Sequence, residues 1–409
     1  MRPSIPLRLA AAGILPLLAA CGGDARAAAP VVRDSAGVRI VENTRPAWGE
    51  GEGWRVAPEP EVDIGVADGD AAYQFGRVAS TLRLADGRVV VADGQANHLR
   101  YFDAAGRHLE TVGRTGGGPG EFQGLIRLLR LPGDTVGAWD YQLARLSLFA
   151  PDGAFLRSRS VPAAGGREMP QVEGAFADGS LVVAPFSLVF ISGTSVERDT
   201  VTLLRYAADS ARVDSIGRFP GAQMLSVAWT ENGGGATRGP VPFGPNTYRA
   251  VRGDLLHVAD SERFEVASYS ADGTLRRLVR RSYTPEALTP EEIGRYKEEQ
   301  RGGSGDSRER QFVERSLAAT PFPKTKSAFA AMIVDAAGAT WLREHSVGND
   351  APGRWTVFAG DGALLGTVEM PAGLRVVEIG EDYVLGVWKD ELDVEHVRLH
   401  RLERTGGGT

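Results

Sequence analysis

Leu82-Arg83-Leu84-Ala85-Asp86-Gly87-Arg88-Val89-Val90-Val91-Ala92-Asp93, followed by Leu99-Arg100-Tyr101-Phe102-Asp103-Ala104-Ala105-Gly106, is the stretch on which the fold turns. It reads as an apolar strand, a small turn, an apolar strand ending in Asp, a short loop, a strand ending in an aromatic and an Asp-Gly type turn. A fourth strand follows, from His108 to Gly113. Strands of four to eight residues rich in Val, Leu and aromatics, bounded by Gly and Asp, are β signals. Val89-Val90-Val91 is apolar on both faces, as is Leu181-Val182-Val183. Such runs fit strands covered on both sides.

The unit recurs. The glycine of its first turn falls at Gly87, Gly133, Gly179, Gly253, Gly338 and Gly380. Three intervals lie near the 40–50 residues of a four-stranded propeller blade, and the two longer ones hold insertions. A second spacing agrees: Asp93 to Phe102, Asp140 to Phe149, Asp260 to Tyr269 and Asp390 to Leu399 are each nine apart. The third and fifth copies depart from it, with Ala184-Pro185 and Glu344 in place of the Asp. The last copy has three strands before Thr405, so a ring needs a fourth from the N-terminus, which Glu61 to Gly65 supplies. Val38 to Glu42 reads as a further edge strand. The expected fold is all-β: a six-bladed β-propeller closed by an N-terminal strand, with a short helical insertion between blades four and five. A seventh blade would have to be hidden in an insertion.

The chain has 409 residues, 46 Lys+Arg against 52 Asp+Glu, and 43% apolar residues. One compact core stops growing near about 250–300 residues, so a repeat is also what the length demands. The composition excludes disorder over most of the chain. A net charge of −6 excludes general nucleic-acid binding, which needs a basic surface.

The first twenty residues read as an export signal. Arg2 and Arg8 precede an apolar run, Leu9 to Ala20, too short for a span of about 20 residues. Leu18-Ala19-Ala20 precedes Cys21, the chain's one cysteine. This resembles the lipobox of bacterial lipoproteins, which implies cleavage before Cys21 and a lipid anchor on it. Gly22 resembles the outer-membrane rather than the inner-membrane sorting pattern. The alternative is an ordinary signal peptide cut near Ala27-Ala28-Ala29. The expected organisation is a signal peptide over 1–20, a lipidated cysteine and flexible tether over 21–37, the propeller over 38–405 with insertions at 221–247 and 284–326, and a tail over 406–409. The first insertion is rich in Gly and Pro. In the second, Thr289-Pro290-Glu291-Glu292 is a capping box with proline at the first helical position.

Gly116-Gly117-Gly118-Pro119-Gly120-Glu121-Phe122, with Val91-Ala92-Asp93 and Tyr101-Phe102-Asp103, looks like the NHL-repeat signature. Lipobox included, the chain resembles the bacterial six-bladed β-propeller lipoproteins. The resemblance implies a binding platform; a minority of such propellers are enzymes, including calcium-dependent lactonases and a lyase.

Loops after the second and fourth strands of each blade share one face. Asp93, Asp140, Asp260, Glu344 and Asp390 end second strands, and His98, Arg145, Arg263 and His345 lie in the loops that follow. These nine are the candidate ligand-binding residues. The carboxylates would hold Ca²⁺ through oxygen, or each would cap its own loop by accepting backbone N–H groups. Recurrence at fixed spacing favours the cap. No other cofactor is expected. His396 and His400 share a strand face about 13 Å apart, too far for a metal pair. No nucleophile elbow or phosphate loop appears. The expected function is a membrane-anchored extracytoplasmic module that binds or scaffolds a protein, peptide or glycan through the insertion-bearing face. The alternative is a divalent-metal-dependent, lactonase-like hydrolase or a lyase with its site at the channel.

Overall fold

The computed structural model describes residues 29–49, 51–164, 168–187, 191–209, 212–229, 235–302, 307–348 and 352–404. Cys21, the signal segment before it and the 406–409 tail lie outside the described residues. The described strands form six sheets, each an antiparallel meander at its heart. In chain order their innermost strands are Val78–Arg83, Leu125–Leu131, Glu168–Ala175, Thr247–Arg252, Ala331–Val334 and Arg375–Ile379. Each innermost strand is an edge of its sheet. Each also packs beside its neighbours in sequence, and Arg375–Ile379 returns to Val78–Arg83. The architecture is therefore a propeller-like ring.

The cores lie between the sheets rather than inside one layer. Leu99 and Tyr101 of the first sheet meet Val136 of the second and Phe122 of the connection between the two. Trp139 and Leu146 of the second meet Leu181 and Val183 of the third. The series continues around the ring to Leu385 and Val397 of the sixth, which pack on Val89 and Phe102 of the first. This geometry explains the doubly apolar strands: Val89, Val90, Val91 and Ala92 are all buried, because one face serves each neighbouring interface. The recurrent turns have a local cause. Asp86, Asp152, Asp178, Asp272 and Asp361 each accept the backbone N–H two residues ahead. Gly87 then takes φ 90°, which glycine adopts without steric cost.

Three sequence expectations need correction. The insertion expected over 221–247 begins inside a strand of the third sheet. Val213–Trp229 is one strand of 17 residues, pairing with Thr194–Tyr206 and with Gly235–Pro240. Leu225 and Val227 alternate onto Val241 and Ala319, a period-two pattern that the glycine and proline count obscured. Gly235–Pro240 tolerates its Gly and Pro because it is an edge strand. Second, the strand expected as an edge at Val38 to Glu42 is not itself the edge, because Val31–Ser35 lies outside it. Val38–Asn43 adds in parallel to Leu275–Arg281 of the fourth sheet. Third, the tether expected over 21–37 ends in structure, since Val31–Ser35 forms a hairpin with Val38–Asn43.

From there the chain runs as a strap. Ala47 and Trp48 donate to the carbonyls of Leu364 and Leu365 on the fifth sheet. Arg55–Val56 then pairs with the end of Glu395–Glu403, and Val62–Ile64 pairs antiparallel with Val397–Leu399 of the sixth sheet. Two helices, α1 (Pro290–Gly302) and α2 (Ser307–Ala319), lie between the fourth and fifth sheets. The capping box starts α1: Thr289 N–H donates to Glu292, and Glu292 N–H donates back to the Thr289 hydroxyl. Among the described residues no helix is long and apolar enough to cross a membrane.

Candidate functional site

The carboxylates at second-strand ends are occupied by groups of the protein, in their own loops and in neighbouring segments. Asp93 accepts N–H groups from Gly76, Arg77, Gln95 and Ala96. Asp140 accepts from Gln123, Gly124 and Leu143 and is fully buried. Asp260 accepts from Glu262 N–H and pairs with Arg198 at 2.5 Å. Asp390 accepts from Val394 and Leu392, and these bonds hold its carboxyl below the usual range. Arg145 donates to the carbonyls of Gly117, Gly118 and Glu121, clamping the glycine-rich turn. Arg263 is exposed. His98 is half-buried, and burial followed by the nearby Arg100 charge lowers its pKa. Among the described residues, no three His, Cys, Asp or Glu side chains are placed to hold a metal ion.

Glu344 and His345 are different, because they face a cavity. It measures about 410 Å³ and is walled by Arg281, Tyr283 and Glu286 after the fourth sheet, Lys326 and Ser327 before the fifth, and Glu344 and His345. Both ends of the helical insertion thus form its rim. Lys326 is held by Glu286 at 2.9 Å and Glu292 at 3.0 Å. Phe243, from the loop after Gly235–Pro240, lies 5.7 Å from Tyr296 of α1 and 5.6 Å from the ring of His345. Its φ of 61° is a costly conformation for a bulky residue. The two insertions therefore meet over His345.

Ser327 Oγ lies 2.9 Å from His345 Nε2. Burial, then the charges of Lys326 and Arg343, push the His345 pKa down to about 4. The imidazole is neutral at pH 7 and can accept a hydrogen bond from the serine hydroxyl. A hydroxyl beside a neutral imidazole is the start of a nucleophile–base pair. Among the described residues no carboxylate bonds the other ring nitrogen, so the third member of a triad is missing.

The depressed pKa also predicts an acid response. His257, buried in the fourth sheet with Ser268 Oγ at 3.0 Å from Nδ1, is likewise pushed down to about 4 by burial. Between pH 6.5 and 4 the unfolded chain binds protons at these sites and the native chain does not. Stability is therefore complete above pH 6.5 and falls as pH drops towards 4, by up to about 3 kcal/mol per histidine. Urea midpoints from pH 7 to 4.5 check this. His345→Gln should flatten the slope, and an unchanged slope would remove His345 from the account.

The sequence places Glu344 and His345 in the loop after the second strand of the fifth sheet, and both line this cavity. Sequence reasoning missed Arg281, Tyr283, Lys326 and Ser327, which stand at the two mouths of the second insertion and become neighbours only when it folds back. It also missed an axial cavity of about 760 Å³ lined by all six innermost strands. Its arginines sit in strands that were read only for their apolar residues.

No family model and no curated protein matches the sequence. Solved structures share the architecture at low identity. A member of the DUF4221 family from Bacteroides vulgatus aligns with a TM-score of 0.53 at 9% identity, over 86% of this chain and 99% of that one. An exported protein from Bacteroides fragilis gives 0.47 at 12% identity, over 90% and 100%. A gluconolactonase from Xanthomonas campestris gives 0.41 at 11% identity, over 85% and 98%. Likeness at this level speaks to fold alone, and of these three only the first exceeds 0.5.

Proposed function

We propose that this chain is a six-bladed β-propeller closed by its N-terminal strap, anchored by lipid on Cys21 at the cell envelope, on the outer rather than the inner membrane. Its insertion-bearing face binds a protein, peptide or glycan. The observation that carries the binding reading is the cavity between Tyr283, Lys326 and His345, built where the two insertions converge. Insertions added to one face of a repeat are where binding surfaces are elaborated. Its lining is mixed in charge and rich in hydroxyls, suited to polar ligands rather than lipid. A hydrolytic second reading is favoured by one observation, the Ser327–His345 pair.

The test joins anchoring and binding. The full chain and Cys21→Ser are expressed in a Gram-negative host and fractionated, with the wild type expected in the membrane and the variant released. Residues 29–404 and Tyr283→Ala are then screened on peptide and glycan arrays and on a lactone and ester panel. Binding that Tyr283→Ala loses supports the proposal. Turnover abolished by Ser327→Ala would transfer the site to the second reading, and binding indifferent to Tyr283→Ala would move it off this face.

A further inference from the structure

The axial cavity is separate from the site above. The insertions follow outermost strands, so they stand where the innermost strands begin. The axial cavity reaches Pro132, Ala177 and Gly253, where innermost strands end. It therefore extends to the opposite face of the ring.

Its ionisable lining is one-sided. Arg127, Arg130, Arg249, Arg252 and Arg375 face it, against Glu173 and Glu378, in a chain whose net charge is −6. The pairing leaves guanidinium charge in excess. Glu173 is shared, at 3.0 Å from Arg249 and 4.0 Å from Arg127. Glu378 is taken by Arg130 at 2.7 Å, by the Tyr383 hydroxyl and by the Arg83 N–H. Arg130 has a second carboxylate in Asp134. Arg252 and Arg375 have no carboxylate partner among the described residues. They donate instead to the carbonyls of Ala336, at 3.2 Å, and Val78, at 3.1 Å. The innermost strands add donors of their own, since each presents an unpaired edge.

We propose that this channel binds a small polyanion carrying two or more carboxylate or phosphate groups. Planar guanidinium forks match both groups bidentately. Its volume lies in the range of small-molecule sites, about 300–1,000 Å³. A single-charge anion would leave part of the excess uncompensated, and a neutral ligand would leave all of it.

The experiment is calorimetry on the released Cys21→Ser chain at pH 7 and low salt, with citrate and pyrophosphate as separate probes. At least one probe binds, and the tighter of the two identifies the ligand group as carboxylate or phosphate. Arg249→Gln and Arg375→Gln each weaken that binding by about tenfold or more, as expected for losing a charge-assisted contact. Arg375 is exposed and bonds one carbonyl, so Arg375→Gln keeps the fold even if Arg249→Gln does not. Lys326→Gln, on the insertion-bearing face, leaves the affinity unchanged. No binding of either probe at about 10 mM, a Kd near the weak end of specific association, overturns the proposal. So does equal affinity in both arginine variants. Loss in Lys326→Gln alone would place the anion in the other cavity and also overturns it, without touching the reading of that face.

Discussion

Asp335→Ala is expected to lower stability by about 3–5 kcal/mol, the cost of leaving a buried charge unpaired. Asp335 is fully buried. One carboxylate oxygen accepts the N–H groups of Ala337 and Ala339. The other accepts the Trp341 indole N–H at 2.9 Å and Arg404 at 2.7 Å. Arg404 also lies 4.1 Å from the Trp54 ring, and Trp54 stacks near both Trp48 and Trp341. One side chain thus ties the fifth sheet, the C-terminal residues and the N-terminal strap together. Alanine removes the charge and leaves four donors to be satisfied. Chemical denaturation is the measurement, and a double-mutant cycle with Arg404→Met should return a coupling of about 1–3 kcal/mol. A loss under about 1 kcal/mol would mean that water replaces the carboxylate.

Removing the strap should have the largest effect of any change. A chain beginning at residue 67 lacks Val41, Trp48, Val62 and Ile64. Val62 and Ile64 belong to the core joining the sixth sheet to the first, and Val41 to the core joining the fourth to the fifth. Each such side chain contributes about 1.5–3 kcal/mol when buried. Three of them, with the half-buried Trp48 and three lost strand pairings to the ring, rival the whole stability of an ordinary domain, about 5–15 kcal/mol. The truncated chain should therefore aggregate, or melt at least 10 °C lower by the usual scaling of stability with Tm. Deleting only residues 29–44 is the comparison. It uncovers the edge of the fourth sheet and leaves Val62–Ile64 in place, so it should cost much less. Equal melting of full-length and 67–409 chains would show that the ring closes without the strap.

The parts of this fold that were legible in the sequence are local ones. An Asp–Gly turn, a nine-residue step from Asp to aromatic and a capping box each act within a dozen residues, so their chemistry is written where it operates. Asp335 shows the limit. In sequence it is another turn aspartate, equivalent to Asp86 or Asp361. Its distinct role comes from Trp341 and from Arg404, 69 residues away. The same holds for Phe243, whose left-handed backbone makes sense only beside Tyr296 and His345. Val38–Asn43 was legible as a strand, but its partner lay beyond any periodicity. The channel arginines were hidden for another reason. Arg127, Arg249 and Arg375 lie in strands whose apolar residues carry the repeat, and nothing local in the sequence shows that six such strands ring one channel.

The strap also sets the order in which the molecule can come into being. His396 and Asp63, which bond across the closing strand pair, are 333 residues apart. A chain that appears from its N-terminus must hold Val62–Ile64 unsatisfied until the last sheet has emerged. Contacts of such separation make folding slow. Until then the first sheet keeps an open hydrophobic flank at Val89 and Phe102, the surface the sixth sheet will cover. Synthesis time, rather than final stability, is thus the interval in which this protein is most exposed to proteases and to pairing with its own copies.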